Sequence, residues 1–191
     1  GSTDIASVHA MEKAGFLLMD TLVYLKKDLR DYSPQSFQSD VNYRTVKPDD
    51  IPQVVEVARS SFSGYRGHYH ADPRLDAQKA TEAYASWAER CCEDPSVAAR
   101  VLVAEFQDEI VGFRAIRVNS PRQAEFILAG VSPQARNRGV YRGFVIEGLR
   151  WCKEIGAEEV LVSTLLVNTA VQKACTQMGF GAHNSYYTFH K

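Results

Sequence analysis

The stretch "GVSPQARNRGVYRG", residues 130–143, stands where a run of apolar residues ends and a run with helical periodicity begins. It contains three arginines, Arg136, Arg138 and Arg142, and two of its three glycines, Gly139 and Gly143, stand among them or just after them. The first N–H groups of a helix have no intrahelical partner, and the positive end of the helix dipole lies beside them. Such a turn therefore favours an anion site, usually for phosphate. The alternative is a turn that only begins a helix, with its arginines solvated.

The composition indicates one globular domain and a fragment, because 45% of the 191 residues are hydrophobic and 24% are charged. A formal net charge of −1 argues against a general nucleic-acid binder. No apolar run approaches the roughly 20 residues that span a bilayer, and we expect neither a signal peptide nor a membrane partner. The four cysteines show no CxxC spacing, which predicts reduced thiols and a cytoplasmic location.

Hydrophobic periodicity predicts an α/β sheet domain with an antiparallel front and a strand–helix–strand back half. The two front strands should turn near Gln107 and Asp108, and the stretch 63–73 should be a loop. The pattern predicts helices at 48–62, 74–92, 140–155 and 168–179. It predicts strands at 42–47, 101–107, 109–118, 124–131, 158–167 and 180–191.

The two ends of the chain resemble each other. A capping residue, Asp4 or Asn168, is followed eleven residues later by Gly-Phe and then by a strand of the same length. If this repeat is real, residues 1–27 are the helix–strand remnant of a second, degenerate domain of the same kind. The polar residues 28–41 are then a linker, and 42–191 form the main domain. The apolar remnant strand should pair with a sheet, in the same chain or in a homodimer.

The motif Val131-x-Pro133-x-x-Arg136-x-x-Gly139, with Asn168 downstream, resembles the signature of the GCN5-related N-acetyltransferases (GNAT). The resemblance implies a mixed, mostly antiparallel central sheet flanked by helices, with one splayed strand pair. It implies acetyl-CoA as cosubstrate, with the pyrophosphate on the loop amides and the pantetheine arm along 127–131. The implied cofactor-binding residues are Ala129, Val131, Arg136, Asn137, Arg138, Gly139, Val140, Tyr141 and Asn168. Tyr141 departs from the family pattern, which has Gly or Ala there.

Acetyl transfer requires a neutral amine, a donor for the developing oxyanion and a proton for the leaving thiolate. The resemblance makes the Val131 N–H the expected oxyanion donor and places Cys175 where the family carries a tyrosine acid. Cys175 has three interpretations: a small core residue, a thiol acid, or a covalent acetyl carrier that lacks a nearby histidine in sequence. Alternative acids are Tyr141, Tyr186 and Tyr187. Glu125 is a candidate proton relay from the amine, unless it faces solvent.

The stretch "FSGYRGHYHADP", residues 62–73, lies where acceptors bind in the family. Together with "AYASW" at 83–87, it resembles members that acetylate a nucleotide-linked amino deoxysugar. The expected substrate-binding residues are Tyr65, Arg66, His68 and His70, and the alternative is a solvated polar loop. The H-x-H-x-D pattern is also a conceivable metal site, but no metal is expected because the family needs none.

These residues and the resemblance together predict an acetyl-CoA-dependent N-acetyltransferase, with catalytic candidates Cys175, Tyr141, Glu125 and Asn168. The expected partner is a small-molecule amine, with a sugar nucleotide as the preferred acceptor. One alternative is another small amine, an amino acid or a protein amine. A second alternative is a non-catalytic CoA-binding sensor in which Cys175 marks a lost acid.

Overall fold

The computed structural model describes residues 1–34 and 36–191. The helices are α1 (Ile5–Lys13), α2 (Ile51–Phe62), α3 (His68–Ala71), α4 (Ala77–Glu93), α5 (Val140–Glu154) and α6 (Thr169–Gln177). The strands are β1 (Leu17–Asp28), β2 (Asn42–Thr45), β3 (Arg100–Phe106), β4 (Glu109–Ser120), β5 (Gln123–Val131), β6 (Glu159–Leu165) and β7 (Gly181–His190). Gln107 and Asp108 adopt positive φ between β3 and β4, which confirms the predicted tight hairpin.

The strands form one sheet in the order β2–β3–β4–β5–β6–β1–β7. Only β5 and β6 run parallel, and the other neighbours are antiparallel. The parallel pairing ends at Phe126 and Val162, although β5 continues to Val131 and β6 to Leu165. The two strands therefore separate over their last residues. The mixed, mostly antiparallel sheet and its splayed pair are as the family resemblance implied.

Helices cover both faces of the sheet and bury a separate apolar cluster on each. Helices α2 and α4 contribute Val54 and Ala88 to one cluster, which includes Phe113 of β4. Helix α5 contributes Phe144 to the other, which includes Ile116 of the same strand. Because alternate side chains of a strand face opposite ways, β4 is buried on both faces. The sheet centre is thus a rigid base for the residues at its edges.

The segment between β1 and β2 is anchored at both ends. Strand β1 includes Asp28, so it extends one residue into the predicted linker 28–41, of which Gln35 lies outside the described residues. Leu29 and Val41 are buried in the core. Among the residues of the described chain, no helix is long and apolar enough to cross a membrane.

The two chain ends fold alike. Asp4 accepts a hydrogen bond from the Ser7 N–H, and Asn168 accepts one from Val171 in the same way. Gly15 and Gly179 end their helices at φ +79° and +82°, a conformation that glycine adopts without strain. Each helix is then followed by a long strand. Local sequence therefore produces the same helix–strand unit twice.

The two units pair about an approximate twofold axis. Equivalent positions lie 164 residues apart, as Asp4 and Asn168 do. Leu22 and Tyr186 are equivalent by this count and stand directly opposite each other in the antiparallel β1–β7 pair. Strand β1 has a second partner, β6, whereas β7 is the last strand of the sheet. The strand of the N-terminal unit thus lies inside the sheet, and the strand of the C-terminal unit lies at its edge.

Two predicted boundaries are wrong. The stretch 63–73, predicted as a loop, contains the short helix α3. The helix predicted from residue 74 begins at Ala77 instead, after Asp76 caps it by accepting a hydrogen bond from the Lys79 N–H. An Asp at the N-cap offers the first helical N–H groups an acceptor, and it places the helix start three residues beyond the prediction.

Candidate active site

The glycine-rich stretch forms a turn that leads directly into α5. Gly139 is the N-cap of that helix at φ +74°, and no side chain caps its N–H groups. A Cβ at Gly139 would meet only a Phe37 ring atom at 3.8 Å, so its backbone conformation rather than space explains the glycine. Gly143 is required for a different reason, since a Cβ there would lie 2.1 Å from the Tyr43 hydroxyl. The helix start therefore presents unpartnered N–H groups.

The arginines of this turn differ in their surroundings. Arg136 and Arg142 are exposed and line a cavity of about 710 Å³, which we call the loop cavity. Arg138 does not line it. Its guanidinium lies over the Phe106 ring at 4.7 Å and 3.6 Å from Asp40. Two of the three predicted cations are thus placed beside the helix start.

The end of β5 supplies a second row of backbone groups to the loop cavity. The Ser132 N–H donates to the Val111 carbonyl at 2.9 Å, so Ser132 is bonded to β4. Because alternate residues of an antiparallel strand point opposite ways, the N–H and C=O of Val131 face the gap with β6. The Ser61 hydroxyl donates a hydrogen bond to the Val131 carbonyl at 3.1 Å, so the carbonyl has a partner and the Val131 N–H still faces the gap. Ala129 lies two residues earlier with the same orientation.

A second cavity of about 530 Å³, which we call the aromatic cavity, adjoins the loop cavity. Both are lined by Tyr65, Ala129, Tyr141 and Asn168, so the two form one continuous groove. The loop cavity also includes Arg66, Asn137, Gly139 and Val140. The aromatic cavity includes Asp20, His68, Tyr69, Tyr84, Trp87 and Arg114.

Tyr141 lies where the two cavities meet. Its hydroxyl is 3.6 Å from the Cys175 sulfur, and burial raises the pKa of Tyr141 to about 12. Cys175 is fully buried, lines neither cavity, and has its pKa raised by burial. The residue that departs from the family pattern in the turn therefore brings a phenol to the position next to Cys175. At neutral pH the phenol is protonated and can act as an acid.

Arg114 of β4 is a buried cation behind Tyr141. Its guanidinium lies between the Phe126 and Tyr141 rings, 4.7 and 4.6 Å from their centroids. Only 1% of the residue is exposed, and its Nε and Nη2 have no hydrogen-bond partner within the described residues. A buried cation with free donors stabilises negative charge strongly, because little solvent screens it. Sequence reasoning missed it, although a charge inside the apolar run "VGFRAI" was a signal.

Other predicted site residues are engaged elsewhere. Glu125 is buried and bound by Arg117 at 2.7 Å and Asn119 at 3.0 Å, outside both cavities. His70 stacks on Tyr84 and approaches the Thr81 hydroxyl at 3.2 Å, behind the cavity wall. Tyr186 and Tyr187 are exposed on β7 and line neither cavity. Within the described chain, no three His, Cys, Asp or Glu side chains form a metal site.

The family model "Acetyltransferase (GNAT) family" matches residues 53–180, well over half of the chain. The chain belongs to the GNAT acetyltransferase family. Members of this family are acyl-transfer enzymes that use acetyl-CoA, and this chain has the fold of the family. Its splayed strands and open helix start fit that cosubstrate, because they leave N–H groups free on both sides of the loop cavity.

Curated relatives of this GNAT chain are distant. A mycothiol acetyltransferase from Corynebacterium glutamicum is 31% identical over 84 residues, covering 44% of this chain and 29% of that protein. The spore coat polysaccharide biosynthesis protein SpsD of Bacillus subtilis is 26% identical over 146 residues, covering 75% of this chain and 48% of that protein. The chain thus spans less than half the length of either relative.

Solved structures of low identity share the fold of this GNAT chain. A GCN5-related N-acetyltransferase from Sphaerobacter thermophilus superposes with a TM-score of 0.68 at 18% identity, covering 98% of this chain and 56% of that one. A tandem GNAT protein from the clavulanic acid pathway has a TM-score of 0.66 at 13% identity, covering 97% and 58%. Both alignments include nearly all of this chain, and both leave over two fifths of the other chain unmatched.

Proposed function

We propose that this chain transfers the acetyl group of acetyl-CoA to a primary amine of a small molecule, with a nucleotide-linked amino deoxysugar as the preferred acceptor. The observation that carries the proposal is the continuous groove, because it joins an anion-binding helix start to an aromatic cavity through Tyr141. The likeness to SpsD, whose name refers to polysaccharide biosynthesis, supports a sugar acceptor. The likeness to mycothiol acetyltransferase favours a different small-molecule amine as the second candidate.

In this proposal the CoA pyrophosphate lies on the N–H groups of residues 136–141. The α5 dipole and the exposed Arg136 and Arg142 add attraction for the phosphates. Arg138 contributes less, because it packs over Phe106 and lies near Asp40. The pantetheine arm pairs with Ala129 and Val131, whose backbone groups face the gap. Asn168 borders both cavities and keeps α6 at the edge of the groove.

The chemistry needs a donor at the carbonyl and an acid at the leaving sulfur. The Val131 N–H stabilises the oxyanion that develops when the amine nitrogen attacks the acetyl carbon. As the carbon–sulfur bond breaks, the Tyr141 hydroxyl protonates the leaving thiolate, and the Arg114 guanidinium stabilises the negative charge there. Cys175 acts through Tyr141, because it lines neither cavity. Glu125 keeps a structural role in this scheme, since its carboxylate accepts hydrogen bonds from Arg117 and Asn119.

We also propose that α1–β1 derives from a second domain of this kind. The repeated caps and the twofold register support that origin, because a shared ancestor accounts for both. The free edge of β7 is then the place where a strand equivalent to β6 would continue the sheet. A homodimer through the same edge is the alternative, and sedimentation would reveal it. The four free thiols support a reducing, cytoplasmic location.

The loop assignment is tested with Gly139→Asp, which places a carboxylate against the phosphates. Calorimetry should show CoA binding at least about tenfold weaker, since like charges repel at close range. Gly156→Asp is the matched control, because Gly156 also has positive φ (+83°), with open space around it. Equal CoA affinity in both variants would refute the loop as the binding site. A panel of amines then separates an enzyme from a CoA-binding sensor. Product formation is measured as the release of the CoA thiol.

A further inference from the structure

We propose that the aromatic cavity holds the ammonium group of the acceptor on Asp20, and that His68 takes its proton while His190 and Asp72 orient the His68 ring. This inference deepens the proposed function and rests on it. Asp20 belongs to β1, His68 to α3 and His190 to β7, so three distant parts of the chain build the subsite. The N-terminal unit then contributes a substrate-binding residue in addition to a strand.

Asp20 is a shielded carboxylate without a partner. Both of its side-chain oxygens are shielded from solvent, and neither has a hydrogen-bond partner within the described residues. It lines the aromatic cavity, and its charge acts on Tyr65, His68 and Tyr84. A carboxylate away from water is costly unless a cation or donors compensate it. The cavity in front of it is therefore suited to a cationic ligand.

Aromatic rings complete the environment of that cation. Tyr65, Tyr69, Tyr84 and Trp87 line the same cavity. Burial raises the pKa of Tyr65 to about 12 and raises that of Tyr84 as well, so both phenols stay neutral. Neutral rings attract a cation through their faces. Contacts with Asp20 and these rings compensate a primary ammonium for the hydration energy that it loses, which an apolar wall does not do.

A chain of hydrogen bonds sets the tautomer of His68. The Asp72 carboxylate receives the His190 Nδ1–H at 2.9 Å, and His190 Nε2 lies 3.1 Å from His68 Nδ1. Hydrogen bonds from Arg74 and His190 hold the pKa of Asp72 well below its usual range, so it accepts. In the proposed scheme His190 donates through Nδ1 to Asp72 and accepts through Nε2. His68 must donate from Nδ1, which leaves a lone pair on its Nε2.

The charges around His68 keep it a base. Burial lowers the pKa of His68, Asp20 of β1 raises it, and a positive charge on His190 of β7 or on His70 lowers it when that ring is protonated. His68 is thus neutral at neutral pH, and it becomes an imidazolium stabilised by Asp20 when it takes a proton. A neutral base beside an anion suits the acceptance of a proton from an ammonium ion.

The proton balance is complete with the groups named. One N–H bond of the ammonium breaks, its electron pair stays on nitrogen, and the proton goes to His68 Nε2. The neutral amine then forms the carbon–nitrogen bond as the carbon–sulfur bond breaks. Tyr141 protonates the thiolate and recovers its proton from the acylated nitrogen, while His68 releases its own to solvent. Asp72 and His190 are positioning residues in this scheme.

The first test needs no acceptor. Nitrogen NMR of the free protein should show the Nδ1–H tautomer of His68 and a pKa below the usual value for histidine. Asp20→Asn should lower that pKa further, because it removes the one group that raises it. His9, which lies in α1 away from both cavities, is the control and should not respond. An Nε2–H tautomer, or a pKa unaffected by Asp20→Asn, would overturn the relay.

The second test uses ethanolamine as an ammonium probe and ethylene glycol as its neutral analogue, both titrated against Trp87 fluorescence. The wild type should bind ethanolamine at least about tenfold more tightly than the glycol. Asp20→Asn should abolish the difference. Asn184→Asp, at the equivalent repeat position on β7, is the matched control and should bind like the wild type. Equal binding of the two probes by the wild type overturns the ammonium site.

The third test applies to whichever amine the acetylation screen yields. His68→Gln should lower kcat about 10²–10⁴-fold and remove the acidic limb of the pH profile of kcat/KM. His190→Asn keeps a donor for Asp72 and loses the acceptor for His68, so it should shift that limb and lower kcat with little change in KM. An unchanged profile in both variants overturns the base assignment. If no amine is acetylated while the first two tests succeed, the proposed function fails and the ammonium subsite stands.

Discussion

The helix–strand units at the two ends of this chain have the same local structure and different surroundings. In α6–β7, Cys175 is fully buried in the core, whereas no residue of α1 is buried. Strand β1 is paired on both sides, and β7 is paired with β1 alone. Local signals such as caps and glycines therefore reproduce the unit, while its place in the sheet decides which residues become core and which face a cavity.

The difference extends to chemistry. Asp20 of β1 lines the aromatic cavity, and its repeat equivalent Asn184 is exposed on β7. His190 of β7 contacts His68, and its equivalent Lys26 instead pairs with Glu159 at 3.2 Å. The two helix–strand units thus differ at these equivalent positions, and each contributes what its location allows. The predictions below use equivalent or matched positions in the two units to test this.

The largest effect is expected from removing residues 1–27. The deletion exposes one edge of both β6 and β7 and opens the core beside Leu25, so the variant should lose its cooperative thermal transition. Leu25→Ala should lower the free energy of unfolding by about 2–5 kcal/mol, because its side chain is buried. Leu18→Ala is the control, with 54% of the residue exposed, and should change it by less than about 0.5 kcal/mol. A deletion variant as stable as the full chain would show that β1 contributes nothing to the stability of the sheet.

Cys175 and its repeat equivalent Met11 come next. Cys175→Ser buries a hydroxyl in the core and should lower the free energy of unfolding by about 1–3 kcal/mol. Met11→Ser should have a smaller effect, since Met11 is half-buried on a helix outside the core. Turnover per folded Cys175→Ser molecule should fall less than tenfold, because Tyr141 donates the proton. A hundredfold loss would make the thiol itself a participant in catalysis.

The helix-ending glycines should respond equally. Gly15→Ala and Gly179→Ala each place a Cβ in the left-handed region and should lower the free energy of unfolding by about 1–2 kcal/mol. The Cβ at Gly15 meets open space, and that at Gly179 meets the flexible end of Lys27 at 2.7 Å. Chemical denaturation measures both. Effects differing by more than twofold would mean that surroundings matter more than backbone conformation.

The smallest effect separates the two caps. Hydrogen bonds from Ser7 lower the pKa of Asp4 below its unfolded value, so its stabilisation is present above that value and is lost as the pH falls through the folded pKa. Asn168 does not titrate, so the cost of Asn168→Ala, about 1 kcal/mol, should be the same at all pH values. Urea titrations at several pH values compare Asp4→Ala with Asn168→Ala. A pH-dependent cost at Asn168 would contradict this account.

Much of the site could be predicted because it is local in sequence. The turn before α5, the Gly139 conformation and the Asn168 cap depend on residues within a few positions of one another. The cavity position of Asp20, the contact of Arg114 with the Tyr141 ring and the contact of His190 with His68 could not be predicted, because each depends on residues more than 25 positions away. Glu125 is the opposite case, because its position on the strand before the turn predicted a proton relay. In the structure it pairs with Arg117 and lines neither cavity.

Periodicity, capping and glycine conformation act over short stretches, so the helices other than α3, the strands, the hairpin and the family could be predicted from the amino-acid sequence. The tertiary structure alone decided that β1 lies between β6 and β7 and that Asp20 lines the cavity. It alone decided that the Tyr141 phenol lies beside Cys175 and that Asp72, His190 and His68 align. These contacts join residues as far apart as Leu17 and His190, which are 173 positions apart in the sequence. Such segments meet only when burial of the shared core brings the strands together, so no local pattern records them.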